Sequence, residues 1–284
     1  MIFKKDLEIP KRLEDEDISV YIDRLRALGI KTPAKRMIKT AEQIVGCREA
    51  GRVNSLVLDA VEREIRVGMT TADIDEIVRE TTRRLGARSA TLGFEGFPAS
   101  VCTSLNGVVC HGIPSTREKI REGDILNVDC TTVYNGYFGD ASRMFTFGEI
   151  SPEARRLTEV TREALELSVS GIVPYESHLG DIGYTISAHA KKCGFSVVRE
   201  IGGHGVGLAM HEDPFVAHVG VRGAGMVLLP GMIFTVEPMI NQGSPRVYID
   251  KKDGWTVRTL DGSLSAQVEY ELLVTEDGVE ILSK

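Results

Sequence analysis

Residues 123–147, GDILNVDCTTVYNGYFGDASRMFTF, are predicted to form two strands joined by Asn135-Gly136. Asn-Gly between two β-rich runs is a strong signal for a hairpin with a two-residue turn. The pairs that follow are Tyr134 with Tyr137, Thr131 with Asp140, and Asp129 with Ser142. Asp129 and Asp140 then share one sheet face as diagonal neighbours, roughly 7–8 Å apart. Because two such carboxylates repel, either one pKa is raised or a cation lies between them.

A second stretch repeats this pattern in the C-terminal half. EGDILNVD (122–129) and LPGMIFTVEP (229–238) share one pattern. In each, a glycine is followed two positions later by isoleucine and five positions later by valine, and an acidic residue comes directly after the valine. Each follows a His-x-x-Pro segment, HGIP (111–114) or HEDP (211–214). Two copies of one pattern suggest a pseudo-twofold domain with a site between its halves. The alternative is coincidence, because short apolar strands before Asp or Glu are common.

Helical patterns precede each strand-rich region. The first helix begins after Thr40 and ends before Gly68, and the second runs through TTADIDEIVRETTRRLG (70–86), from a threonine cap to a terminal glycine. Ser-Pro-Glu at 151–153 opens a third helix with proline in its first turn, and a fourth spans about 180–193. The predicted fold class is α+β, with duplicated antiparallel strands covered by two helix pairs.

Residues 1–40 differ from the rest of the chain because they are rich in charged side chains. Four apolar residues in this segment are spaced for one face of a short amphipathic helix: Ile18, Ile22, Leu25 and Leu28. We therefore expect residues 1–40 to form an N-terminal extension arm, packed on a catalytic domain that comprises residues 41–284.

The composition excludes several functional classes. The chain has 284 residues, 42% hydrophobic and 26% charged, with a net charge of −7. An acidic chain lacks the basic footprint of a nucleic-acid-binding protein. No apolar run approaches 18 residues and the N-terminus has no secretory h-region, so we expect neither a membrane span nor a signal peptide. Five cysteines without a CxxC pair argue against disulfides and a cysteine zinc site, and favour a cytoplasmic protein.

Three further residues in strand-like contexts extend the acidic pair: His204 in GGHGVG, Glu237 in FTVEP and Glu269 in SAQVEYE. Four carboxylates and one imidazole exceed what two-carboxylate acid–base catalysis requires, and they suit two divalent cations with shared ligands. Each residue alone has a simpler interpretation, as a turn, cap or solvated edge residue.

Outside these motifs, the histidines expected on the surface or in helices are His178, His189 and His218. Cys47 and Cys193 are expected to pack within helices.

The ordered motifs resemble those of the methionine aminopeptidases, metalloenzymes with the pita-bread fold. The motifs are HGIP, NVDCT, GYFGDAS, GGHGVGLAMHEDP, TVEPM, DGWTV and SLSAQVEYE, and the resemblance runs from about residue 40 to the C-terminus. Only 32 positions (269 − 237) separate Glu237 from Glu269. This spacing leaves no room for the helical insertion of the type 2 enzymes, so the chain resembles type 1.

The resemblance implies a dinuclear metal site with five ligands: Asp129, Asp140, His204, Glu237 and Glu269. Asp140 and Glu269 would bridge the two ions, and Glu237 would also serve as general base. The divalent ions implied are Co²⁺, Mn²⁺ or Fe²⁺, with Zn²⁺ as an alternative. The resemblance also implies, on a weaker match, a loop that binds Na⁺ or K⁺ through Asn106, Val108 and Ser265.

The resemblance also assigns the residues that contact the substrate. His211 would stabilise the oxyanion and His111 the scissile nitrogen. The methionine pocket maps to Phe94, Phe97, Cys102, Met210 and Trp255. Five positions depart from frequent family residues, which leaves the reaction unchanged and bears on selectivity: Thr91, Phe94, Phe97, Met210 and Tyr270.

The activity implied is removal of the N-terminal methionine from nascent proteins and peptides when the second residue is small. The expected enzyme is a cytoplasmic monomer, and a ribosome contact is a hypothesis for the arm. One alternative is a prolidase or aminopeptidase P, which shares fold and ligands but carries a much larger N-terminal domain. The other is a pita-bread protein that binds peptides, nucleic acid or ribosomes without metal, a class that has usually lost ligands.

Overall fold

Five α-helices and fifteen β-strands occur within residues 9–284, the part of the chain that this computed structural model describes. The helices are α1 (Ile18–Ala27), α2 (Ala41–Glu64), α3 (Thr71–Arg84), α4 (Pro152–Ser170) and α5 (Leu179–Lys192). The strands are β1 (Arg88–Ser89), β2 (Cys102–Leu105), β3 (Val108–Cys110), β4 (Ile125–Tyr134), β5 (Tyr137–Thr146), β6 (Ser196–Val197), β7 (Gly203–Gly205), β8 (Glu212–Val216), β9 (Ile233–Val236), β10 (Met239–Asn241), β11 (Val247–Ile249), β12 (Val257–Thr259), β13 (Ser265–Gln267), β14 (Tyr270–Val274) and β15 (Val279–Ser283). None of these helices is long and apolar enough to cross a membrane.

The central hairpin has the predicted register. Strands β4 and β5 pair antiparallel, with Asp129 opposite Ser142 and Asp140 opposite Thr131. The turn between them has positive φ at both residues, 50° at position 135 and 87° at position 136. These values match a type I′ turn, whose twist suits a two-residue hairpin and which Asn-Gly adopts readily.

Two helix pairs precede the two strand regions, as predicted. Thr40 and Thr70 cap α2 and α3, and both helices have complete capping boxes. Ser151 caps α4, with proline at the first helical position. The fourth predicted helix is α5, which begins and ends one residue earlier than expected.

The second half repeats the layout of the first. Its largest sheet has the strand order β15-β14-β9-β7-β8, and β9 ends beside Glu237. Gly203 and Gly205 permit the tight packing of β7, because a Cβ at either position would lie 2.3 or 2.1 Å from a neighbouring backbone oxygen. Duplicated antiparallel strands under two helix pairs confirm the predicted α+β pita-bread fold.

Helix α1 contributes to the largest hydrophobic core. Tyr21, Ile22 and Leu25 are fully buried in it. Leu28, predicted on the same face, is half exposed because it lies beyond the end of α1 as its C-terminal cap. Residues 1–8 of the predicted arm lie outside the described residues, and the division at residue 40 stays a prediction.

Candidate metal centre

The five predicted ligands line one cavity between the two halves of the fold. His204 Nε2 lies 3.7 Å from Asp140 Oδ2 and 3.6 Å from Glu237 Oε1. One ligand atom each from Asp140, His204 and Glu269 lie within 4.8 Å of one another. Asp129 lines the same cavity from β4. Sequence positions far apart therefore converge on a space of the size that a metal ion requires.

The four carboxylates are buried together, and their protonation is strongly perturbed. Burial raises the pKa of Asp140 to about 7. For Asp129, Glu237 and Glu269, burial and then repulsion from neighbouring carboxylates raise the pKa well above its usual range. Among residues 9–284, the basic side chain that approaches any of the four within ion-pair distance is the imidazole of His204. Divalent cations would offset both the burial and the repulsion, so this donor set fits a metal centre.

His204 is oriented as a metal ligand. Its Nδ1 lies 3.0 Å from the Gly205 carbonyl oxygen, which can only accept, so Nδ1 carries the hydrogen. Burial lowers the pKa of the imidazole, which favours the neutral ring. The lone pair on Nε2 then faces the carboxylates, and the backbone contact fixes the tautomer.

Three uncharged side chains, whose roles were not predicted from the sequence, hold the acidic groups in place. Thr131 donates to Asp140 Oδ1 at 2.9 Å. Thr235 donates to Glu237 Oε1 at 3.1 Å, and the Gln267 amide donates to its Oε2 at 3.0 Å. Thr235 and Gln267 each precede a predicted ligand by two positions. Strand alternation, which places residues i and i+2 on one face, is the signal that points to them.

Glu271 is a further buried acid beside the cluster. Its Oε2 accepts a hydrogen bond of 3.0 Å from the backbone N–H of Asp140. Its Oε1 has no hydrogen-bond partner within residues 9–284, and burial raises its pKa well above the usual range. Glu271 therefore holds the backbone of β5 in place at Asp140, whose side chain is a predicted metal ligand. Its position two residues beyond Glu269 is the signal in the sequence.

His218 does not lie on the surface or in a helix, so that expectation is wrong. It is buried, and its Nε2 accepts a hydrogen bond of 3.2 Å from the backbone N–H of Glu237. Burial lowers its pKa to about 3, which keeps the ring neutral and able to accept. His218 lies just beyond β8 and contacts the residue that follows β9. This contact joins residues that are distant in sequence, so no periodic pattern predicts it.

The predicted substrate residues also line the cavity, whose volume is about 320 Å³. They are Phe94, Phe97, Cys102, His111, Met210, His211 and Trp255. The rings of Phe97 and Trp255 pack edge to face at 5.3 Å. Besides Thr131, three lining residues were not predicted from the sequence: Ile201, Gly202 and Phe215. The half-exposed ring of Phe215 forms part of the cavity mouth.

The two accessory histidines face the same centre. The rings of His204 and His211 pack edge to face with centroids 4.4 Å apart. His111 has a positive φ of 55°, a strained conformation for a residue with a side chain. Burial lowers the pKa of His111 and His211 to about 4, so both are neutral at physiological pH. A neutral imidazole offers one N–H donor and one lone pair, which suits hydrogen bonding to a reacting group.

A buried ion pair supports the loop that carries His211. Lys39 Nζ lies 2.5 Å from Glu212 Oε2, and both groups are largely shielded from solvent. Glu212 Oε1 accepts from the backbone N–H groups of residues 208 and 209, at 2.7 and 3.1 Å. A lysine from the predicted arm thus reaches, through one carboxylate, the segment just before His211. No role for either residue was predicted from the sequence.

The predicted monovalent-cation residues are partly brought together. The Asn106 carbonyl oxygen accepts from the backbone N–H of Ser265 at 2.9 Å, while Val108 is buried in β3. The Na⁺ or K⁺ site itself stays a prediction.

The five residues that differ from those frequent in the family lie in two different places. Thr91, Phe94, Phe97 and Met210 line the cavity. Tyr270 lies in β14, opposite Val236, and outside the cavity lining. Any effect of the departures on selectivity is therefore expected from the first four.

A buried centre of four carboxylates and one histidine on the pita-bread fold defines a metallopeptidase. Residues 46–276 match Metallopeptidase family M24, and the chain belongs to this family. Methionine aminopeptidase A of Synechocystis sp. is 46% identical over 242 residues, which cover 85% of this chain and 94% of that protein. The crystal structure of methionine aminopeptidase from Rickettsia prowazekii is 40% identical, with a TM-score of 0.84 and coverage of 87% and 99%.

More distant peptidases share the fold. A prolidase from Pyrococcus furiosus has a TM-score of 0.69 at 24% identity, covering 92% of this chain and 67% of its own. Membership of a metallopeptidase family implies that this chain uses divalent metal, and the buried carboxylate cluster is the candidate site.

Proposed function

We propose that this chain is a cytoplasmic enzyme that removes the N-terminal methionine from peptides and nascent proteins when the second residue is small. One observation carries the proposal: a buried carboxylate–histidine centre lies in the same cavity as an apolar, aromatic pocket. The names of relatives at 40–46% identity support the same activity.

The residues that would hold two divalent ions are Asp129, Asp140, His204, Glu237 and Glu269. When bound, such ions activate water as a nucleophile and polarise the scissile carbonyl. The family resemblance implies that Asp140 and Glu269 would be shared between the ions, and one ligand atom of each lies within 4.8 Å of the His204 imidazole. Co²⁺, Mn²⁺, Fe²⁺ and Zn²⁺ all suit a set of oxygen donors with one imidazole.

Glu237 is the proposed general base. Thr235 and Gln267 each donate to one of its carboxylate oxygens, and His218 accepts from its backbone N–H, so both the carboxylate and the backbone are held in place. It would take the proton of the attacking water and deliver it to the leaving amine. Neutral His211 would donate to the developing oxyanion, and His111 would contact the scissile nitrogen.

The pocket beside the centre suits an unbranched thioether. Phe97 and Cys102 are buried, and the Trp255 ring packs edge to face against Phe97. Methionine is flexible and its sulfur interacts well with aromatic rings, at about 0.3–1.5 kcal/mol for each contact. A free α-amine beside the metal centre would limit cleavage to the first peptide bond.

Two alternatives are weaker. A prolidase would share the ligands, but the prolidase comparison rests on 24% identity, which concerns the fold alone. A pita-bread protein without metal would have no use for five intact ligand positions that the fold brings into one cavity.

Substrate selectivity tests the proposal. We expect Met-Ala-Ser, Met-Gly and Met-Ser peptides to be cut well and Met-Lys or Met-Leu poorly, because His111 and the pocket rim leave little room beside the scissile bond. Release of free methionine by the metal-loaded enzyme is the measurement, with an Xaa-Pro dipeptide in a parallel reaction. Equal rates across the Met-Xaa series would contradict the proposed geometry, and preferred Xaa-Pro hydrolysis would favour the prolidase alternative.

The ion pair beneath the His211 loop leads to a second prediction. Lys39→Met should lower kcat by roughly 10–10²-fold, because a small displacement of catalytic groups is enough for such a loss. Metal content should stay at the wild-type level. Lys35→Met is the matched control, since Lys35 belongs to the same segment and pairs with Asp23 on the surface. A Lys39→Met enzyme that melts earlier but keeps its kcat per folded molecule would make the ion pair purely structural.

A further inference from the structure

We propose that Glu163, His189 and Cys193 form a separate zinc site that links α4 to α5. Glu163 projects from α4, while His189 lies in α5 and Cys193 is the C-terminal cap of the same helix. One ligand atom from each lies within 4.8 Å of the others. None of the three lines the cavity of the peptidase centre, so this site is independent of the proposed reaction.

The geometry is close to that of a bound ion. His189 Nε2 lies 2.9 Å from Glu163 Oε2 and 3.9 Å from Cys193 Sγ. Ligands of tetrahedral zinc at ordinary bond lengths are roughly 3.3–3.6 Å apart. The separation between His189 and Glu163 is shorter than that range, and the separation between His189 and Cys193 is longer. The Glu163 and Cys193 ligand atoms lie within 4.8 Å of each other. Small side-chain rotations would bring the three groups to zinc-binding separations, with water as the fourth ligand.

The spacing of the ligands on the helices explains the convergence. His189 and Cys193 are four residues apart, so their side chains emerge on one face of α5, one turn apart. Glu163 faces them from the middle of the neighbouring helix α4. All three side chains are partly exposed, and an ion could reach them from solvent. Cys193 is therefore not packed within a helix, which corrects the expectation for this residue.

Arg156 is the competitor for this site. Its guanidinium lies 3.0 and 3.4 Å from the Glu163 oxygens and 3.5 Å from Cys193 Sγ. The cluster thus already holds one positive charge next to a carboxylate and a thiol. Zinc would replace the single positive charge of Arg156 with two positive charges. On zinc binding, Cys193 would lose its thiol proton to solvent. The displaced side chain is about half exposed, so it would return to water at little cost.

The chemistry of the donors selects the ion. A thiolate and an imidazole bind Zn²⁺ or Co²⁺ well and bind Mn²⁺ or Mg²⁺ weakly, whereas the peptidase centre has no thiolate among its proposed ligands. The two sites are thus distinguishable by spectroscopy. Co²⁺ bound by a thiolate produces a ligand-to-metal charge-transfer band in the near ultraviolet, and an oxygen and nitrogen site does not.

The experiment uses the full chain with its peptidase centre loaded with Mn²⁺. After incubation with Zn²⁺ and desalting, wild type should retain one zinc equivalent more than Cys193→Ser. In Co²⁺ titrations the charge-transfer band should appear in wild type and in the control Cys47→Ala, and be absent from Cys193→Ser. His189→Gln should weaken binding at least roughly tenfold. Peptidase activity of Cys193→Ser should equal that of wild type.

Arg156→Gln supplies a test in the opposite direction. Removal of the competing cation should tighten Zn²⁺ binding by roughly two- to fivefold, the range expected when an exposed ion pair is lost. Equal zinc content in wild type and Cys193→Ser, or a charge-transfer band that survives in Cys193→Ser, would overturn the proposal. Unchanged or weaker binding by Arg156→Gln would also count against it.

Discussion

Loss of one shared carboxylate is expected to abolish turnover and metal binding together. Asp140→Ala and Glu269→Ala each remove a group that lies beside His204 in the cluster and that is proposed as a ligand of both ions. Metal ions contribute several kcal/mol of transition-state stabilisation, so kcat/KM should fall by at least roughly 10³-fold. Bound metal, measured by elemental analysis after desalting, should fall in parallel.

Glu271→Gln is the matched control for Glu269→Gln. Both residues are buried acids, two positions apart, and both lie close to Asp140. A glutamine at 271 keeps an oxygen that accepts from the Asp140 backbone N–H, so metal content and activity should stay near wild type. A glutamine at 269 loses a charged ligand and should lose both. Full activity of any of these enzymes after exhaustive chelation would refute the metal mechanism.

The second large effect is expected at His211. His211→Ala should lower kcat and kcat/KM by roughly 10²–10³-fold, the range measured when one oxyanion donor is removed, about 2.7–4 kcal/mol. The structure gives this residue a neutral, partly buried ring that packs against His204 without being placed among the ligand atoms of the cluster. Metal content should therefore remain at the wild-type level while the chemical step slows.

Metal analysis beside steady-state kinetics distinguishes the roles of His211. Loss of one metal equivalent would make it a ligand, and an unchanged kcat would make it structural. A variant that keeps its metal, loses kcat and melts at the wild-type temperature would fit only a role in the reaction. Phe94→Leu is a useful comparison, because the Phe94 ring packs against His211 at 5.2 Å and its loss disturbs the pocket without removing a donor.

Much of the fold and site could be predicted from local sequence. Asn135-Gly136 specifies its own turn, and the turn fixes the register that places Asp129 and Asp140 on one face. Thr40 and Thr70 mark helix starts because their hydroxyls satisfy backbone N–H groups within three residues. These effects depend on neighbours in the chain, so they are visible without a structure.

The supporting residues of the centre could be only partly predicted. Strand alternation points to Thr235, Gln267 and Glu271, each two positions from a predicted ligand. It gives no indication that Glu271 accepts from the backbone of Asp140, 131 positions away in the chain. That contact requires β14 to pack beside β5, an arrangement set by the whole sheet.

The helix pairs, the central hairpin and the order of the acidic and histidine motifs could be recognised from the sequence, because turns, caps and side-chain alternation are short-range properties of the chain. Three contacts became apparent only in the folded molecule: His218 supports Glu237, Lys39 reaches Glu212, and three partly exposed side chains meet between α4 and α5. Each of these contacts joins segments that local preferences leave independent. Their geometry is fixed when the two halves of the fold pack around a common core.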